Sequence, residues 1–304
     1  MPVLLPVAGI SISLLWLVGA GAVVGFLSGL FGVGGGFLLT PILMMMGIPP
    51  TVAAASDSCQ IVATSSSGTA AHFRLGNVDA KLGTVLLLGG LTGGAVGVHI
   101  IKFLRSIGSA DLVITIAYVV VLGSIGGYMF WESLSNLRRG VMVPMTHAAA
   151  KRGGYLSRLP FQMDFPRSRV RHSVILPFLF CGMVGILAAI MGVGGGFIMV
   201  PMMVYLLRMP MHVAVGTDLF QILFTCAGVT YMQATTNHTV DLVLALLLAA
   251  GSTVGAQVGA RVGRLLHGDQ LKILLASIVL LVMVKMAIGL LTAPSILIIP
   301  MKGH

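Results

Sequence analysis

Hydrophobic runs separated by short polar breaks make up most of the chain. Four of the runs approach the roughly 20 residues that an α-helix needs to cross about 30 Å of hydrocarbon. They span residues 11–30, 82–101, 110–131 and 271–291. Two more runs, at 37–48 and 197–207, would rise only about 18 Å as helices, which is too little to cross alone. The pattern predicts an all-α, polytopic membrane protein with roughly 8–10 transmembrane segments.

The composition agrees with a membrane protein and narrows its chemistry. Of 304 residues, 57% are hydrophobic and 9% are charged, and the mean hydropathy is +1.04, far from the balance of soluble domains. Cys59, Cys181 and Cys226 lie in apolar runs and none belongs to a C-x-x-C pair, so we expect neither a disulfide framework nor a thiolate metal site. No bound metal and no cofactor are predicted.

An internal repeat divides the chain into two halves. The segment "GVGGGFLLTPIL" at 32–43 returns as "GVGGGFIMVPMM" at 192–203, and "SDSCQ" and "TDLFQ" follow at an offset of 161. We predict a first transmembrane repeat at 1–131, a linker at 132–172 and a second repeat at 173–304. Secondary transporters built from internal repeats hold their substrate near the membrane midplane, between the repeats.

The linker carries much of the positive charge. Eight of the 18 Lys and Arg residues lie between Arg138 and Arg171, and basic loops favour the cytoplasmic side. We expect the linker to be cytoplasmic and to lie near anionic lipid headgroups. Nucleic acid is not expected as a partner, because no aromatic pattern or binding module accompanies the charge. The distribution of basic residues mildly favours inverted over parallel repeats, and both arrangements stay open, as does the oligomeric state.

The two triple glycines are candidates for an anion site. A glycine run in hydrocarbon breaks a helix, and the next segment then presents free N–H groups and a positive dipole end to a cavity. The alternative is that the glycines let helices approach closely, which is the favoured interpretation for Gly25 and Gly29. The predicted substrate-binding residues of these two loops are Gly34, Gly35, Gly36, Phe37, Gly194, Gly195, Gly196 and Phe197.

Polar residues follow each short segment, within apolar surroundings. Ser56 and Gln60 share a helix face because they are four residues apart, and Thr217 and Gln221 do the same in the second half. These four residues complete the predicted substrate-binding set, since hydroxyls and amides can donate to an oxyanion. Lys285, in the last apolar run, either reaches the membrane surface or supplies a counter-charge.

Asp57 and Asp218 are the ionisable residues of these two polar segments. An ionisable side chain inside a membrane segment marks a pathway or a proton relay by default, so both are predicted to couple transport to protons. The alternative is that each caps the first turn of a helix that begins after Pro49 or Pro210. The sequence favours neither interpretation over the other.

The two "GVGGGF" motifs with their following prolines, together with "AHFRLGNVDAKLG" at 71–83 and "TNHTVDLVLA" at 236–245, resemble the sulfite exporter TauE/SafE family of bacterial membrane permeases. The resemblance covers both halves and implies transport of sulfite, sulfonates or related sulfur-containing anions across the bacterial inner membrane. Asp57 and Asp218 are a departure, because members commonly carry a small hydroxyl residue there.

The leading hypothesis is therefore a secondary transporter that moves such an anion by alternating access with proton coupling. One alternative is a soft-metal transporter, because thioethers and imidazole bind Cu(I) and the chain carries methionines at 44–46, 202, 203 and 211 beside His212. Another is a membrane scaffold that recruits a partner through the linker. An enzyme is not expected, since neither half contains a catalytic triad or an H-E-x-x-H helix.

Overall fold

The chain folds almost entirely into α-helices, as seen in a computed structural model. The structure describes residues 2–31, 36–139, 162–165, 167–168, 170–207, 209–263 and 268–292. The helices of the first half are α1 (Leu14–Phe31), α2 (Gly36–Met45), α3 (Pro50–Arg74), α4 (Ala80–Ser106) and α5 (Ala110–Arg139). Those of the second half are α6 (Ile175–Met191), α7 (Gly196–Pro201), α8 (Met211–Met232), α9 (Leu242–Gly263) and α10 (Gly268–Thr292). Short π-helical segments extend α7 through Met202–Leu206 and α8 through Gln233–Asn237.

Several of these helices are suited to cross a membrane. Within the described residues, five are long and apolar enough, namely Ala80–Ser106, Ala110–Tyr128, Met211–Asn237, Leu242–Gly259 and Leu274–Leu291. The shorter apolar helices are Leu14–Gly29, Gly36–Met45 and Ile175–Met191. Helix α3 has 25 residues but is too polar to qualify by hydropathy. The prediction of an all-α, multi-pass membrane protein is confirmed.

Two small β-hairpins add to the predicted helices. In the first, β1 (Pro2–Leu5) pairs with β2 (Ile10–Ser13), and in the second, β3 (Gln162–Phe165) pairs with β4 (Val170–Ser173). The apolar run predicted as a helix from residue 11 therefore becomes helical only at 14, because the alternation Ile-Ser-Ile-Ser in β2 favours a strand.

The predicted linker at 132–172 is partly structured. Helix α5 continues into its first residues as far as Arg139, and the second hairpin occupies its end. Residues 140–161, between these two elements, lie outside the described residues.

Helices from opposite halves pack together through glycine. Helix α1 lies along α9, and α4 lies along α6. A Cβ atom on Gly25 would collide with the carbonyl oxygen of Ser252, and one on Gly29 would collide with that of Ala256. The close-packing interpretation of these two glycines is thus borne out. The hydrophobic effect does not drive helices together in lipid, so van der Waals packing at close backbone contacts of this kind stabilises their association.

The order of contacts along each pair gives the direction of its helices. Contacts of α1 with α9 run from Gly21 at Leu248 to Gly29 at Ala256, so both residue numbers increase together and these helices are parallel. Helices α4 and α6 are parallel for the same reason, because their contacts run from Gly89 at Phe178 to Gly97 at Ile186. In both pairs the N-terminal ends of the two helices therefore lie at the same end of the bundle.

Helices α3 and α8, which carry the matching polar segments, run in opposite directions. Ile61 lies in one cluster with Ile222 and Cys226, whereas a Cβ atom on Gly68 would lie 3.0 Å from the Cδ1 atom of Leu219. Residues further along α3 therefore contact residues nearer the start of α8, which makes the two helices antiparallel. An antiparallel relation between matching helices is what inverted repeats require, and parallel repeats would not produce it.

The glycine contact between α1 and α9 leads to a testable expectation. Gly25→Ala places a methyl group against the backbone of α9 and should lower the thermal midpoint of the detergent-solubilised protein by at least about 4 °C. Gly19→Ala in the same helix is the matched control, because nothing lies within 4 Å of its Cβ position. The control should be neutral or mildly stabilising, since alanine favours helix by about 1 kcal/mol over glycine. Equal midpoints for the two variants would contradict this account of the packing.

Candidate functional site

The glycine-led segments of the two halves meet beside the crossing of α3 and α8. A Cβ atom on Gly36, the first residue of α2, would lie 3.2 Å from Oδ2 of Asp57 and 3.2 Å from the carbonyl oxygen of Gly192. The rings of Phe37 and Phe197 stack with their centroids 5.5 Å apart and an interplanar angle of 27°. The starts of the two half-length segments therefore adjoin. Gly34 and Gly35 lie outside the described residues.

The second glycine loop is buried between the two polar helices. Gly194 and Gly195 have φ values of +70° and +84°, which side chains other than glycine rarely adopt. A Cβ atom on Gly194 would lie 3.3 Å from Ile61 of α3 and 3.2 Å from Ile222 of α8. Gly196 then begins α7, where the first N–H groups have no acceptor within the helix. Backbone conformation and close packing thus explain the glycines, and the loop leaves amide donors at the centre of the bundle.

The predicted polar residues of α3 are bound to the second half of the chain. Ser56 is fully buried, and its Oγ accepts a hydrogen bond from the backbone N–H of Asp241 at 2.9 Å. The Nε2 group of Gln60 donates to Oγ of Ser252 on α9 at 2.5 Å. Both side chains therefore hold α3 against α9.

Of the two predicted polar residues of α8, one bonds to the opposite half of the chain and the other does not. Thr217 is fully buried, and its Oγ1 accepts from the backbone N–H of Asp79 at 3.0 Å, so it joins α8 to the first half. Gln221 instead donates to Oγ1 of Thr225, one turn further along its own helix, at 2.9 Å. Ser56 and Thr217 therefore form reciprocal bonds between the halves, and the two glutamines do not.

Asp57 and Asp218 lie inside their helices. Each is the eighth residue of its helix, counted from Pro50 in α3 and from Met211 in α8, so the alternative that they cap a first turn is wrong. Two other aspartates act as caps. The Oδ1 atoms of Asp79 and Asp241 accept from the amide three residues further on, at 3.3 Å and 3.1 Å, and so begin α4 and α9.

Four buried oxygen atoms near the crossing have no hydrogen-bond partner. They are Oδ1 of Asp57, Oε1 of Gln60, Oδ1 of Asp218 and Oε1 of Gln221. In the described part of the chain neither carboxyl group has an ion-pair partner, and Lys285 is exposed on α10. The alternative of Lys285 as a counter-charge is therefore wrong. Unpartnered buried acceptors are costly. Each half of the chain has two such oxygens, and binding of a proton or another hydrogen-bond donor would remove this cost.

Thr40 makes the environments of the two carboxyl groups different. Its Oγ1 donates to Oδ2 of Asp57 at 2.7 Å, and it is fully buried in α2. The repeat places Val200 at the equivalent position, and valine cannot donate to Asp218. Similar sequences thus build one carboxyl group with a hydroxyl donor and one without.

The predicted site residues are not gathered at one point. Leu219 lies opposite Gly68 on the antiparallel helix, so Asp218 is about eleven residues, or roughly 16 Å, from Asp57 along the bundle axis. The glycine-led segments and the phenylalanines lie between them. The two polar segments therefore extend from a common centre towards opposite ends of the protein.

Four residues that bond to the predicted site residues were not predicted from the sequence. Thr40 gave no signal because it has no counterpart in the repeat, and Ser252 lies on α9 in a small-residue stretch that resembles ordinary helix packing. Asp79 and Asp241 did have a signal, since the pair Val-Asp occurs in both halves, but their bonds to the opposite half depend on the tertiary structure.

The methionines proposed for a soft metal divide between apolar packing and the surface. Met202 and Met203 are buried in a cluster with Cys181 and aliphatic side chains, whereas Met211 and His212 are exposed. Within the described residues no group of three or more His, Cys, Asp or Glu side chains could hold a metal ion. The imidazole therefore does not join the thioethers.

A multi-pass bundle with buried polar segments and central half-length helices belongs to the class of membrane transporters, and sequence comparison identifies its family. The profile of the family described as Sulfite exporter TauE/SafE matches residues 17–286. The chain therefore belongs to the TauE/SafE family of membrane transporters. No solved structure is significantly similar to it.

Individual relatives agree with this assignment. The probable membrane transporter protein YunE of Bacillus subtilis is 25% identical over 78% of this chain and 83% of its own length. The probable membrane transporter protein YjnA of the same organism is 26% identical over 86% of this chain and 94% of its own length. Sulfite exporter TauE/SafE family protein 1 of Arabidopsis thaliana is 29% identical over 38% of this chain and 27% of its own length.

The bond between Thr40 and Asp57 can be tested by a double-mutant cycle. Thr40→Val removes the hydroxyl donor to Oδ2 of Asp57 and should destabilise the detergent-solubilised protein by about 1–3 kcal/mol. Thr40→Ser is the control, because it keeps the hydroxyl group. In an Asp57→Val background the cost of Thr40→Val should largely disappear, as measured by denaturant unfolding. A cost that is the same in both backgrounds would contradict the bond.

Proposed function

We infer that the protein is a secondary transporter for sulfite, an organosulfonate or a related sulfur-containing anion, working by alternating access. The observation that carries this proposal is the meeting of two glycine-led segments at the crossing of two buried polar helices, in a chain of the TauE/SafE family. The antiparallel α3 and α8 support two inverted halves, divided at 1–131 and 173–304. In such transporters one half rocks against the other around a central site.

The proposed substrate site takes its donors from both halves. In this proposal the backbone N–H groups at the starts of α2 and α7, from Gly36, Phe37, Gly196 and Phe197, donate to the oxyanion. The hydroxyls of Ser56 and Thr217 and the amides of Gln60 and Gln221 supply further hydrogen bonds. The remaining proposed members are Gly34, Gly35, Gly194 and Gly195. Binding an anion here by neutral donors avoids a permanent buried cation.

The proposed coupling ion is the proton, carried by Asp57 or Asp218. Both carboxyl groups are buried and lack an ion-pair partner in the described part of the chain, and an unpaired charge in a membrane interior is costly. Protonation cancels that charge and also removes the repulsion between a carboxylate and an approaching anion. A proton and an anion can therefore enter the site together more easily than either enters alone.

The proposed location is the bacterial inner membrane, with the basic linker at 132–172 in the cytoplasm beside anionic lipid headgroups. We propose neither an enzymatic activity nor a nucleic-acid partner. Soft-metal transport stays the second candidate, because Cys181 shares one apolar cluster with Met199, Met202, Met203 and Met209. A scaffold function through the linker is the third.

Ligand-dependent thermal stability separates these candidates. Sulfite, sulfate, thiosulfate, short sulfonates, Cu(I) and Ni²⁺ should be tested on the purified protein, since a ligand that binds only the folded state stabilises it by about 2.7 kcal/mol at 100 times its Kd. We expect one sulfur anion to raise the midpoint. Gly36→Ala should reduce that rise, because its methyl group would collide with Cδ1 of Ile61 and would lie 3.2 Å from Oδ2 of Asp57. Gly19→Ala should keep it. A response to metal alone would replace the anion assignment.

Proton coupling is tested in proteoliposomes with a pH gradient. Asp57→Asn or Asp218→Asn should abolish the dependence of anion uptake on the gradient, because asparagine cannot exchange a proton. Asp111→Asn is the control, since Asp111 is exposed at the start of α5 and accepts from Thr51 at 3.1 Å. Full gradient dependence in both site variants would rule out these aspartates as carriers while leaving anion transport itself intact.

A further inference from the structure

The two β-hairpins are equivalent elements of the internal repeat. Residues 2–13, "PVLLPVAGISIS", and residues 162–173, "QMDFPRSRVRHS", share the proline and the final serine at an offset of 160, which is also the offset of the glycine motifs. Each hairpin has two four-residue strands, which are separated by four positions along the chain. Each immediately precedes the first helix of its half, α1 or α6. The repeat therefore extends back to the hairpins.

The turn of each hairpin is bound by the capping aspartate of the opposite half. Oδ2 of Asp241, at the start of α9, accepts from the N–H groups of Val7 at 3.0 Å and Ala8 at 3.4 Å. Oδ2 of Asp79, at the start of α4, accepts from the N–H group of Ser168 at 3.0 Å and from its Oγ at 2.6 Å. Ala8 and Ser168 occupy equivalent positions. We call these two sets of bonds the latches.

Each latch is joined directly to the polar helix that carries a proposed proton carrier. The N–H group of Asp241 donates to Ser56, the neighbour of Asp57 in α3. The N–H group of Asp79 donates to Thr217, the neighbour of Asp218 in α8. In both cases hairpin turn, capping aspartate and polar helix form one continuous hydrogen-bonded chain, and all four linking side chains are buried.

The two latches lie at opposite ends of the bundle. Ser56 and Thr217 are both near the N-terminal ends of their helices, and α3 and α8 are antiparallel. The first hairpin also reaches into the interior, because Leu5 is fully buried in the same apolar cluster as Phe37 and Val52. The first hairpin is therefore anchored in the apolar interior at one end of the bundle.

We propose that the two hairpins are the gates of the transport pathway, one on each side of the membrane, and that each is held closed by its latch. This proposal rests on the proposed transport function. With both latches formed, the structure is closed at both ends. Release of one latch removes the bonds between one hairpin turn and the capping aspartate of the opposite half, and in this proposal it opens the path on that side alone, as alternating access requires. In the second hairpin, Arg167 also donates to the carbonyl oxygen of Val78 at 2.9 Å, and this bond must be released as well.

The charge of the two hairpins indicates which face of the membrane each gate lies on. The first hairpin has no charged residue, whereas the second carries Arg167, Arg169 and Arg171. By the positive-inside rule the second hairpin is the cytoplasmic gate. The first is then the gate on the opposite face.

Conversion of each capping aspartate to asparagine breaks one latch selectively. Asparagine caps a helix about as well as aspartate, so Asp241→Asn and Asp79→Asn keep one accepting oxygen for the helix. The second oxygen becomes an NH₂ group, which cannot accept from the hairpin. Asp111→Asn, whose carboxyl group accepts from the N–H group of Thr51 and belongs to neither latch, controls for loss of an acidic side chain.

The first measurement is amide hydrogen exchange of the full chain in lipid nanodiscs without substrate. Asp241→Asn should accelerate exchange in peptides covering residues 2–13 by about tenfold, because a hydrogen bond to a charged acceptor is lost, and should leave 162–173 unchanged. Asp79→Asn should give the reverse. If Asp79→Asn does not fold, Ser168→Ala removes the Oγ donor alone and should accelerate exchange in 162–173.

The second measurement asks whether release of a latch opens the path. Ala53 and Ala214 are equivalent, fully buried and four residues before Asp57 and Asp218. Single cysteines at these positions, with Cys59, Cys181 and Cys226 replaced by alanine, report access for an anionic thiol reagent that cannot cross the bilayer. Asp241→Asn should accelerate labelling of Ala53→Cys from one face only, and Asp79→Asn should accelerate labelling of Ala214→Cys from the other face.

The outcomes separate the gate proposal from the substrate proposal. Unchanged exchange in both hairpins would overturn the latches, and faster exchange without faster labelling would make the hairpins structural covers. Labelling that rises equally from both faces would also contradict two separate gates. Neither measurement contains substrate, so a protein that passes both but moves no sulfur anion in proteoliposomes would keep its gates and lose the substrate assignment.

Discussion

Backbone contact between helices of opposite halves is the interaction on which the rest of the structure depends. Glycines of α1 meet α9, and glycines of α4 meet α6, so closely that a methyl group has no room. In a lipid environment this packing replaces the hydrophobic effect as the source of association. The first helix of each half, α1 or α6, packs against a helix of the other half. The interior of the protein is therefore formed by both halves together, and the polar helices α3 and α8 lie within it.

The polar residues of the buried helices α3 and α8 fall into two groups. Ser56 and Thr217 bind the capped start of a helix from the opposite half, which fixes the position of each polar helix. Asp57, Asp218 and the two glutamines instead present oxygens without partners. A buried acceptor without a donor is costly, and these oxygens lie along the two polar helices that form the proposed pathway, where a proton can satisfy them.

The two halves are similar but not identical, and the differences bear on direction and coupling. Thr40 gives Asp57 a hydroxyl donor, whereas Val200 gives Asp218 none. The hairpin of the second half carries three arginines, whereas that of the first half is uncharged. Symmetric halves would give two equivalent states of a transporter. In the proposed alternating-access cycle, these differences would make the two states unequal in free energy and in the charge that surrounds each entrance.

The sequence by itself determined the membrane class, the helical segments, the internal repeat and the residue types of the site, because hydropathy and helical periodicity are local properties. It marked Asp57 and Asp218 but could not choose between an internal position and a cap. Only the tertiary structure decided that Asp79 and Asp241 bind the hairpin turns of the opposite half, that Thr40 donates to Asp57, and that the matching helices are antiparallel. The hydrogen bonds among these features join residues 17 to 234 positions apart, and contacts over such separations depend on how the helices pack, which no local pattern encodes.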